Sequence, residues 1–250
     1  SDVCSSDLRI ALGKALFFDP RLSKSNVDSC ASCHKPELNW TDGQRTAVNH
    51  SQAKLPRATP TILNIAYNPV FNWDGKFSKL EDHAMGLMQN ERVMSLSVQD
   101  LVAKLNNIPG YVHMFHKAYP GEGVTHQTIA KALANFQRTV VSTESPFDRW
   151  RKGDEKALDA AAKRGFEVFQ GKANCTACHE GFNFTDNGFH NIGIKESGEQ
   201  PDLGRYTQRK LNTLKGAFKT PTLRDVTLTA PYMHNGMYKT LERSEEHTSE

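Results

Sequence analysis

Apolar side chains recur every three to four residues in several stretches of the chain, which is the spacing of an amphipathic helix. The clearest stripe is formed by Ile129, Leu133, Phe136 and Val140, and it predicts a helix over residues 125–142. Weaker stripes predict helices over residues 10–18, from Ser78, from Ser97 to near Pro109, over 111–119 and over 154–170. No segment alternates strongly between apolar and polar residues, so the chain is expected to be mostly α with little or no β.

Two motifs of the form Cys-x-x-Cys-His interrupt this helical pattern. They are Cys30-Ala31-Ser32-Cys33-His34 and Cys175-Thr176-Ala177-Cys178-His179. This is the attachment signature of c-type haem, in which both cysteines bind the haem and the histidine becomes the fifth iron ligand. A zinc half-site or a redox-active disulfide could explain one such motif, but neither requires the adjacent histidine in both copies. The motifs therefore predict two covalently bound haem c groups and redox chemistry.

Long loop-rich stretches follow both motifs, and their Pro, Asn, Asp and Gly residues lack helical periodicity. Such stretches can be ordered by wrapping a cofactor. A helix also precedes each motif, with Gly13 to Phe17 in the first copy resembling Gly165 to Phe169 in the second. We therefore expect two cytochrome c-like haem domains with extensive loops, called here module 1 (residues 9–150) and module 2 (residues 151–242).

Both ends of the chain have an unusual sequence. Residues 1–8 and 243–250 resemble in-frame translations of a sequencing adapter and its complement. We expect both segments to be assembly artefacts, with Cys4 not native and module 2 truncated. A signal peptide is not visible and is expected to have been lost with the native start.

Charge and hydropathy limit the classes of partner. The formal net charge is +3 and the basic residues are scattered along the chain. That pattern does not favour nucleic-acid binding, which is expected to be absent. No apolar run reaches the roughly 18 residues that span a membrane, so no membrane span is expected.

Runs outside the haem motifs carry a family resemblance. They cover residues 12–23, 56–61, 73–76 (Trp73-Asp74-Gly75-Lys76), 219–224 and 230–236. In this order, and together with the two haem motifs, they resemble the bacterial di-haem cytochrome c peroxidases, a family that includes the di-haem enzyme that matures methylamine dehydrogenase. The resemblance covers nearly all of residues 9–242.

The resemblance implies that the first haem, on Cys30, Cys33 and His34, is the low-potential haem at which peroxide reacts. His50 stands at the position of the family's displaceable sixth iron ligand. Trp73 matches the tryptophan between the two haems, where it can relay electrons.

The second haem, on Cys175, Cys178 and His179, is by the same resemblance the high-potential electron-transfer haem. Its sixth ligand is expected beyond residue 242. A small cytochrome c or a cupredoxin is the expected electron donor, hydrogen peroxide the expected substrate and the periplasm the expected location. A homodimer is one assembly that the resemblance admits.

This sequence departs from the family at the peroxide pocket. His83 replaces a family glutamine, and Val93 stands where the family has a glutamate. Glu91 lies close enough to substitute if the turn changes register, whereas its alternative role is that of a solvated carboxylate. His83 itself suits acid–base catalysis, because the pKa of an unperturbed imidazole lies near neutral pH. Arg57, in the Pro-Arg motif, completes the catalytic candidates.

A family calcium site is also altered. Its asparagine ligand is replaced by Ala58, while the positions of two backbone carbonyl ligands correspond to Thr229 and Pro231. Calcium is bound by several oxygen ligands, and the replacement by Ala58 removes one of them. One calcium ion is retained as a prediction that rests on Thr229 and Pro231.

Three functions fit these features. The leading one is a di-haem cytochrome c peroxidase that passes electrons from the second haem to the first. The second is a di-haem oxidase that modifies a protein partner. The third is an electron-transfer cytochrome without catalysis, in which both irons keep six ligands.

Overall fold

The computed structural model describes residues 2–49, 51, 53–194 and 200–248. Within these ranges the α-helices are α1 (Asp2–Phe18), α2 (Cys30–Cys33), α3 (Leu80–Gln89), α4 (Val98–Asn106), α5 (Pro109–Ala118), α6 (His126–Arg138), α7 (Pro146–Arg151), α8 (Ala160–Gln170) and α9 (Leu241–Thr248). The two strands are β1 (Phe189–His190) and β2 (Phe218–Lys219), which pair antiparallel. The mostly helical fold class is confirmed.

Local capping explains several helix boundaries. α4 begins as predicted, because the Ser97 hydroxyl accepts a hydrogen bond from the Asp100 N–H at 3.1 Å. The prediction that a helix begins with a capping serine at Ser78 is wrong, since Lys79 is the N-cap of α3. α8 begins later than predicted because the Asp159 carboxylate accepts a bond from the Ala162 N–H at 2.7 Å. A side-chain acceptor at the N-cap satisfies a backbone donor that has no partner within the helix.

The helix predicted over residues 125–142 is four residues too long at its C-terminus. α6 ends at Arg138, and the following backbone bonds to another segment instead. The Asn64 N–H donates to the Val140 carbonyl at 2.8 Å, and the Ser142 N–H donates to the Asn64 side chain at 2.9 Å. These long-range bonds replace the intrahelical bonds that the hydrophobic stripe alone predicts.

Module 1 has a packed apolar core in which α1 lies against α6. Leu12 and Leu16 of α1 and Leu133 of α6 are fully buried. The helices approach so closely at Gly13 that a Cβ there would lie 1.9 Å from the Ala132 carbonyl oxygen. Each buried side chain of this size stabilises the fold by about 1.5–3 kcal/mol, so the core holds module 1 together.

Module 2 lacks a comparable core among its described residues. After residue 150 the buried apolar side chains reduce to Ala217, and α8 has no buried residue. Its apolar face lines an open cavity of about 390 Å³ instead. An aromatic cluster partly fills the space beside this helix, formed by Phe147, Trp150, Phe166, Phe169 and Phe184.

The two modules repeat the same loop contacts. The Thr61 hydroxyl donates to the Asn39 carbonyl at 2.8 Å, and the Thr222 hydroxyl donates to the Asn183 carbonyl at 2.7 Å. In both modules these bonds join a Thr-Pro-Thr segment to the loop that follows the Cys-x-x-Cys-His motif. The weak sequence repeat before the motifs therefore extends into matching structure after them.

Reciprocal backbone bonds join the modules. The Ala58 N–H donates to the His234 carbonyl at 2.7 Å, and the Lys219 N–H donates to the Trp73 carbonyl at 2.8 Å. The contact between the modules that these bonds form is called here the join. Trp73 and His234 lie at the join with ring centroids 6.5 Å apart. Each described helix is too short or too polar to cross a bilayer.

Candidate functional site

Both Cys-x-x-Cys-His motifs form one tight helical turn that ends at the histidine. The His34 N–H donates to the Cys30 carbonyl at 2.9 Å, and the His179 N–H donates to the Cys175 carbonyl at the same distance. The turn holds the two cysteines and the histidine of each motif within one short segment. It is α-helical in the first motif and 3₁₀-helical in the second.

The imidazole rings are oriented by matching carbonyls. His34 Nδ1 lies 3.0 Å from the Trp40 carbonyl oxygen, and His179 Nδ1 lies 3.0 Å from that of Phe184. A carbonyl only accepts hydrogen bonds, so Nδ1 carries the proton and Nε2 keeps its lone pair. Burial lowers the pKa of both rings, which favours the neutral form. Each ring is therefore prepared to bind a metal through Nε2.

The thiols do not favour a zinc site. All four motif cysteines are free, and burial raises the pKa of Cys30 to about 12 and that of Cys33 to about 11. Zinc binds thiolates and needs a closed set of four ligands. The one close group of three candidate ligand atoms among the described residues joins Cys178 with Asp186 and His190, and it omits Cys175 and His179. Two cysteines and an adjacent histidine without a closed set of four ligands around them fit haem c better than zinc.

Two buried amides at matching positions support this fit. Asn39 and Asn183 lie in the loops that follow the two motifs, and the Nδ2 of each is buried without a hydrogen-bond partner. Buried donors are rarely left unsatisfied in folded proteins. Such a donor in both loops is consistent with a polar group or water beside each motif that is not part of the polypeptide.

His50, the predicted displaceable ligand, lies outside the described residues. Its surroundings are described in part. Val48 and Lys54 form an antiparallel bridge around this segment, and the Asn49 side chain donates to the Arg92 carbonyl at 3.1 Å. These contacts attach the segment to the turn after α3.

Trp73 lies at the join between the modules, where the sequence predicts an electron relay. Its indole N–H donates to the Ala58 carbonyl at 2.9 Å, and its own carbonyl accepts from Lys219 of module 2. The ring packs edge-on against His234, which in turn stacks on Phe218 with ring centroids 3.5 Å apart. Trp73 is thus held by bonds to both modules and touches an aromatic side chain of module 2.

Arg57 is occupied by ion pairs at the same join. Its guanidinium lies 3.0 Å from the Asp74 carboxylate and 2.6 Å from that of Asp202. Arg205 adds a second cationic contact by donating to the Asp74 and Gly75 carbonyls at 2.9 and 2.7 Å. The Arg57 guanidinium beside Asp202 lowers the pKa of that carboxyl against the opposing effect of burial, so the pair stays charged near neutral pH.

His83 and Glu91 have different environments. Glu91 is exposed in the turn after α3. The His83 side chain is buried between Phe71 and Phe77, with ring centroids 5.6 and 5.5 Å away, and its Nε2 lies 2.9 Å from Asn72 Oδ1. Its Nδ1 is buried and has no partner. Burial, with a smaller contribution from the nearby His34, lowers the pKa of His83 to about 4, so the ring is neutral.

The predicted calcium residues surround the same join. Thr229 and Pro231 are half-buried, whereas the Ala58 side chain is buried and offers no ligand atom. Asn235 lies nearby in sequence, and both of its amide atoms are buried without partners. Calcium binding there stays a prediction.

Asn72, Asp202 and Arg205 are site residues that the sequence did not indicate. Asp202 and Arg205 lie in a loop-rich segment and reach partners more than 125 residues away in the chain. A weak signal existed for Asn72, which precedes Trp73 in a turn of Asn, Asp and Gly. Its φ of +67° is a left-handed value that asparagine tolerates better than most residues.

A family model described as "Di-haem cytochrome c peroxidase" matches residues 7–156. The "Methylamine utilization protein MauG" of Methylorubrum extorquens is 47% identical over 242 residues, which cover 96% of this chain and 68% of that protein. The "Cytochrome c551 peroxidase" of Pseudomonas aeruginosa is 38% identical over 238 residues, covering 92% of this chain and 68% of the relative.

Solved structures agree with these matches. A crystal structure of a MauG-like protein associated with microbial copper homeostasis has a TM-score of 0.89 at 30% identity, covering 96% of this chain and 75% of that one. A variant of the diheme peroxidase BthA from Burkholderia thailandensis has a TM-score of 0.84 at 21% identity, over 96% of this chain and 71% of the other, and shares the fold.

Proposed function

Since the chain belongs to the di-haem cytochrome c peroxidase family, whose members are di-haem oxidoreductases, we propose that it reduces hydrogen peroxide to water. Electrons enter from a small redox protein at module 2 and pass to module 1. The observation that supports this most directly is the neutral, buried ring of His83, which keeps one nitrogen without a protein partner.

Module 1 supplies the peroxide site. Cys30 and Cys33 hold the first haem, and His34 binds its iron through Nε2. When bound, this haem supplies an iron that can coordinate and reduce peroxide. His50 would be the displaceable ligand of that iron and would leave room for the substrate once module 2 is reduced.

Module 2 supplies the electron entry. Cys175 and Cys178 hold the second haem, and His179 is its iron ligand. The attachment turn is partly exposed, so a small cytochrome c or cupredoxin can approach it. Trp73 relays electrons across the join, supported by its contacts with both modules.

His83 moves the proton. Its Nδ1 would accept a proton from one peroxide oxygen and return it to the other, so that water leaves as the O–O bond breaks. The complete reaction consumes two protons from solvent and two electrons from the donor. Phe71 and Phe77 limit water access to the ring. Arg57 keeps the join closed through Asp74 and Asp202, which preserves the position of Trp73.

The test is the oxidation of a reduced small cytochrome c by peroxide. Wild-type protein is expected to oxidise two donor molecules per peroxide, and His83→Leu is expected to lower kcat/KM by about a hundredfold. His116→Leu is the matched control, because His116 is an exposed histidine on α5 and its loss should leave the rate unchanged. Unchanged turnover in His83→Leu would remove His83 from the mechanism, and a wild type that ignores peroxide would end the proposal.

A second candidate function is oxidation of a protein partner. It is favoured by the 47% identity to a methylamine utilization protein, compared with 38% to a cytochrome c peroxidase. Peroxide would then produce a mass change in the partner while reduced cytochrome c is consumed slowly. A mixture of peroxide, this protein and immature methylamine dehydrogenase as the probe, followed by mass spectrometry, separates the two functions.

Location, calcium binding and assembly are also part of the proposed function. The protein acts in the periplasm, where covalent haem attachment and small redox donors occur together. A calcium ion held by the Thr229 and Pro231 carbonyls stabilises the join, and a homodimer is the assembly to test by light scattering. Removal of calcium by a chelator should then slow electron transfer between the modules.

A further inference from the structure

His83 is fixed by a side chain from outside its own helix. The Asn72 amide oxygen lies 2.9 Å from His83 Nε2. Asn72 is itself held in a closed turn, because the Phe71 N–H donates to the Phe77 carbonyl at 2.8 Å and the Gly75 N–H donates to the Asn72 carbonyl at 3.1 Å. The amide therefore has little freedom to move away from the imidazole ring.

The direction of this bond determines the tautomer. An amide oxygen only accepts, so His83 Nε2 is the donor and carries the proton. A neutral imidazole has one ring proton, which leaves the lone pair on Nδ1. Nδ1 is also the buried atom without a protein partner. The ring is thus arranged to accept a proton at Nδ1.

We infer that Asn72 is a positioning residue that selects this tautomer of His83 and keeps Nδ1 as the proton acceptor. The inference rests on the proposed function of His83. When Nδ1 takes a proton from peroxide, the Nε2–H bond to Asn72 remains, and Nδ1 can give the same proton to the leaving oxygen. Without Asn72 the ring could protonate Nδ1 instead and would then present a donor where the reaction needs an acceptor.

Any test must account for the ionisable groups on the elements around the His83 ring. They are Asp74 and Lys76 in the turn, Glu81 and Asp82 on α3, Arg138 of α6 and His34. Arg138 is paired with Glu81 at 2.8 Å, and His34 is the group among them that lowers the pKa of His83. A new charge at residue 72 would therefore be the dominant change at the ring.

Two substitutions keep the left-handed backbone of residue 72 while changing its side chain. Asn72→Gly tolerates a positive φ and removes the amide. Asn72→Asp preserves the shape and adds a carboxylate that favours the imidazolium. Asn26→Gly is the control, because Asn26 also has a positive φ of 59° but lies in an exposed turn.

The first readout is nitrogen-15 NMR of labelled histidine in the holoprotein, reduced and bound to carbon monoxide so that the irons are diamagnetic. Wild-type His83 should carry its proton on Nε2, Asn72→Gly should give mixed tautomers, and Asn72→Asp should raise the titration midpoint by at least about one pH unit. A wild-type ring protonated on Nδ1 would overturn the inference, whether or not the protein reduces peroxide.

The second readout is the pH profile of kcat/KM for peroxide. Asn72→Gly should lower the rate about tenfold at pH 7, within the range of acid–base contributions. Asn72→Asp should shift the acidic limb to higher pH, and Asn26→Gly should match wild type. A purely structural role would lower stability and leave the shape of the profile unchanged, and that result would contradict the positioning role. If wild type itself fails to turn over while the NMR result holds, the proposed function fails and the tautomer assignment stands.

Discussion

Gly13 and Gly165 occupy similar places in the helices before the two haem motifs, yet their surroundings differ. α6 packs directly on Gly13, whereas a Cβ at Gly165 would meet nothing within 4 Å. The aromatic contacts next to them are alike, since Phe17 packs edge-on against Trp40 and Phe169 packs edge-on against Phe184. The described chain thus repeats the loops that orient the motif histidine while providing a packed helical core for only one of the two copies.

The difference shows that ligand geometry and core packing are separate properties here. Module 1 places its half-buried His34 beside a packed hydrophobic core and adds the buried His83. Module 2 orients His179 by the same carbonyl bond, but its α8 has no buried residue. In the proposed function, module 1 would carry out the peroxide chemistry and module 2 would exchange electrons near the surface.

The largest expected effect comes from removing each haem attachment in turn. Cys175→Ala with Cys178→Ala should lower hydrogen-exchange protection across residues 151–194 by at least about a hundredfold, because that segment lacks another core. Cys30→Ala with Cys33→Ala should leave α4, α5 and α6 protected. Exchange mass spectrometry measures both, and a module 2 that stays protected without its haem would break the comparison.

Lowering the pH should destabilise module 1 through protonation of His83. The pKa of His83 is about 4 in the folded protein and about 6.5 when unfolded, so the unfolded chain binds the extra proton first. Stability is therefore unaffected above pH 6.5 and falls by up to about 3 kcal/mol as the pH drops towards 4. Urea unfolding of wild type and His83→Gln from pH 7 to 4.5 should show this loss in wild type alone, and parallel curves would contradict it.

Alanine at the two glycines should have opposite effects. Gly13→Ala should destabilise module 1 by about 2 kcal/mol, because its Cβ must displace α6. Gly165→Ala should stabilise α8 by about 0.5–1 kcal/mol, since alanine favours a helix and has room there. Denaturant titration followed by circular dichroism gives both values. Equal effects at both positions would mean that α8 is covered as closely as α1.

A smaller effect than that at Gly13 is expected at the join. Arg205→Met removes two hydrogen bonds to the Asp74 and Gly75 carbonyls and should weaken the Trp73 turn by about 1.5 kcal/mol. The rate of amide hydrogen exchange in residues 71–77 should then rise about tenfold, and electron transfer between the haems should slow. Arg209→Met, at an exposed neighbour, is the control, and equal exchange in both variants would remove Arg205 from the join.

Local patterns predicted those parts of the fold that depend on neighbouring residues. The stripe from Ile129 to Phe136 gave α6, and the Ser97 cap gave the start of α4. The same reasoning predicted no helix at α7, which Ser145 caps by accepting a hydrogen bond from the Asp148 N–H at 3.2 Å. It also placed the end of α6 too late, because Asn64 recruits Val140 from a distant part of the chain.

The candidate site also has some features that the sequence predicted and others that depend on distant parts of the chain. The family could be predicted because its motifs place fixed residues at fixed spacing, whereas haem attachment at the two Cys-x-x-Cys-His motifs stays a prediction. The bond from His83 to Asn72 and the ion pairs of Arg57 could not, because they join segments whose approach is set by the whole fold. His50 and the calcium residues Thr229 and Pro231 stay predictions.

The most direct test of two unequal haem sites is electron paramagnetic resonance of the half-reduced protein before and after peroxide. One haem should be reduced first, and the ferric haem that remains, in module 1, should give a high-spin signal that peroxide removes. His50→Gly should give that signal without reduction. A half-reduced protein that stays entirely low-spin and does not react with peroxide would contradict the account and indicate a cytochrome that only transfers electrons.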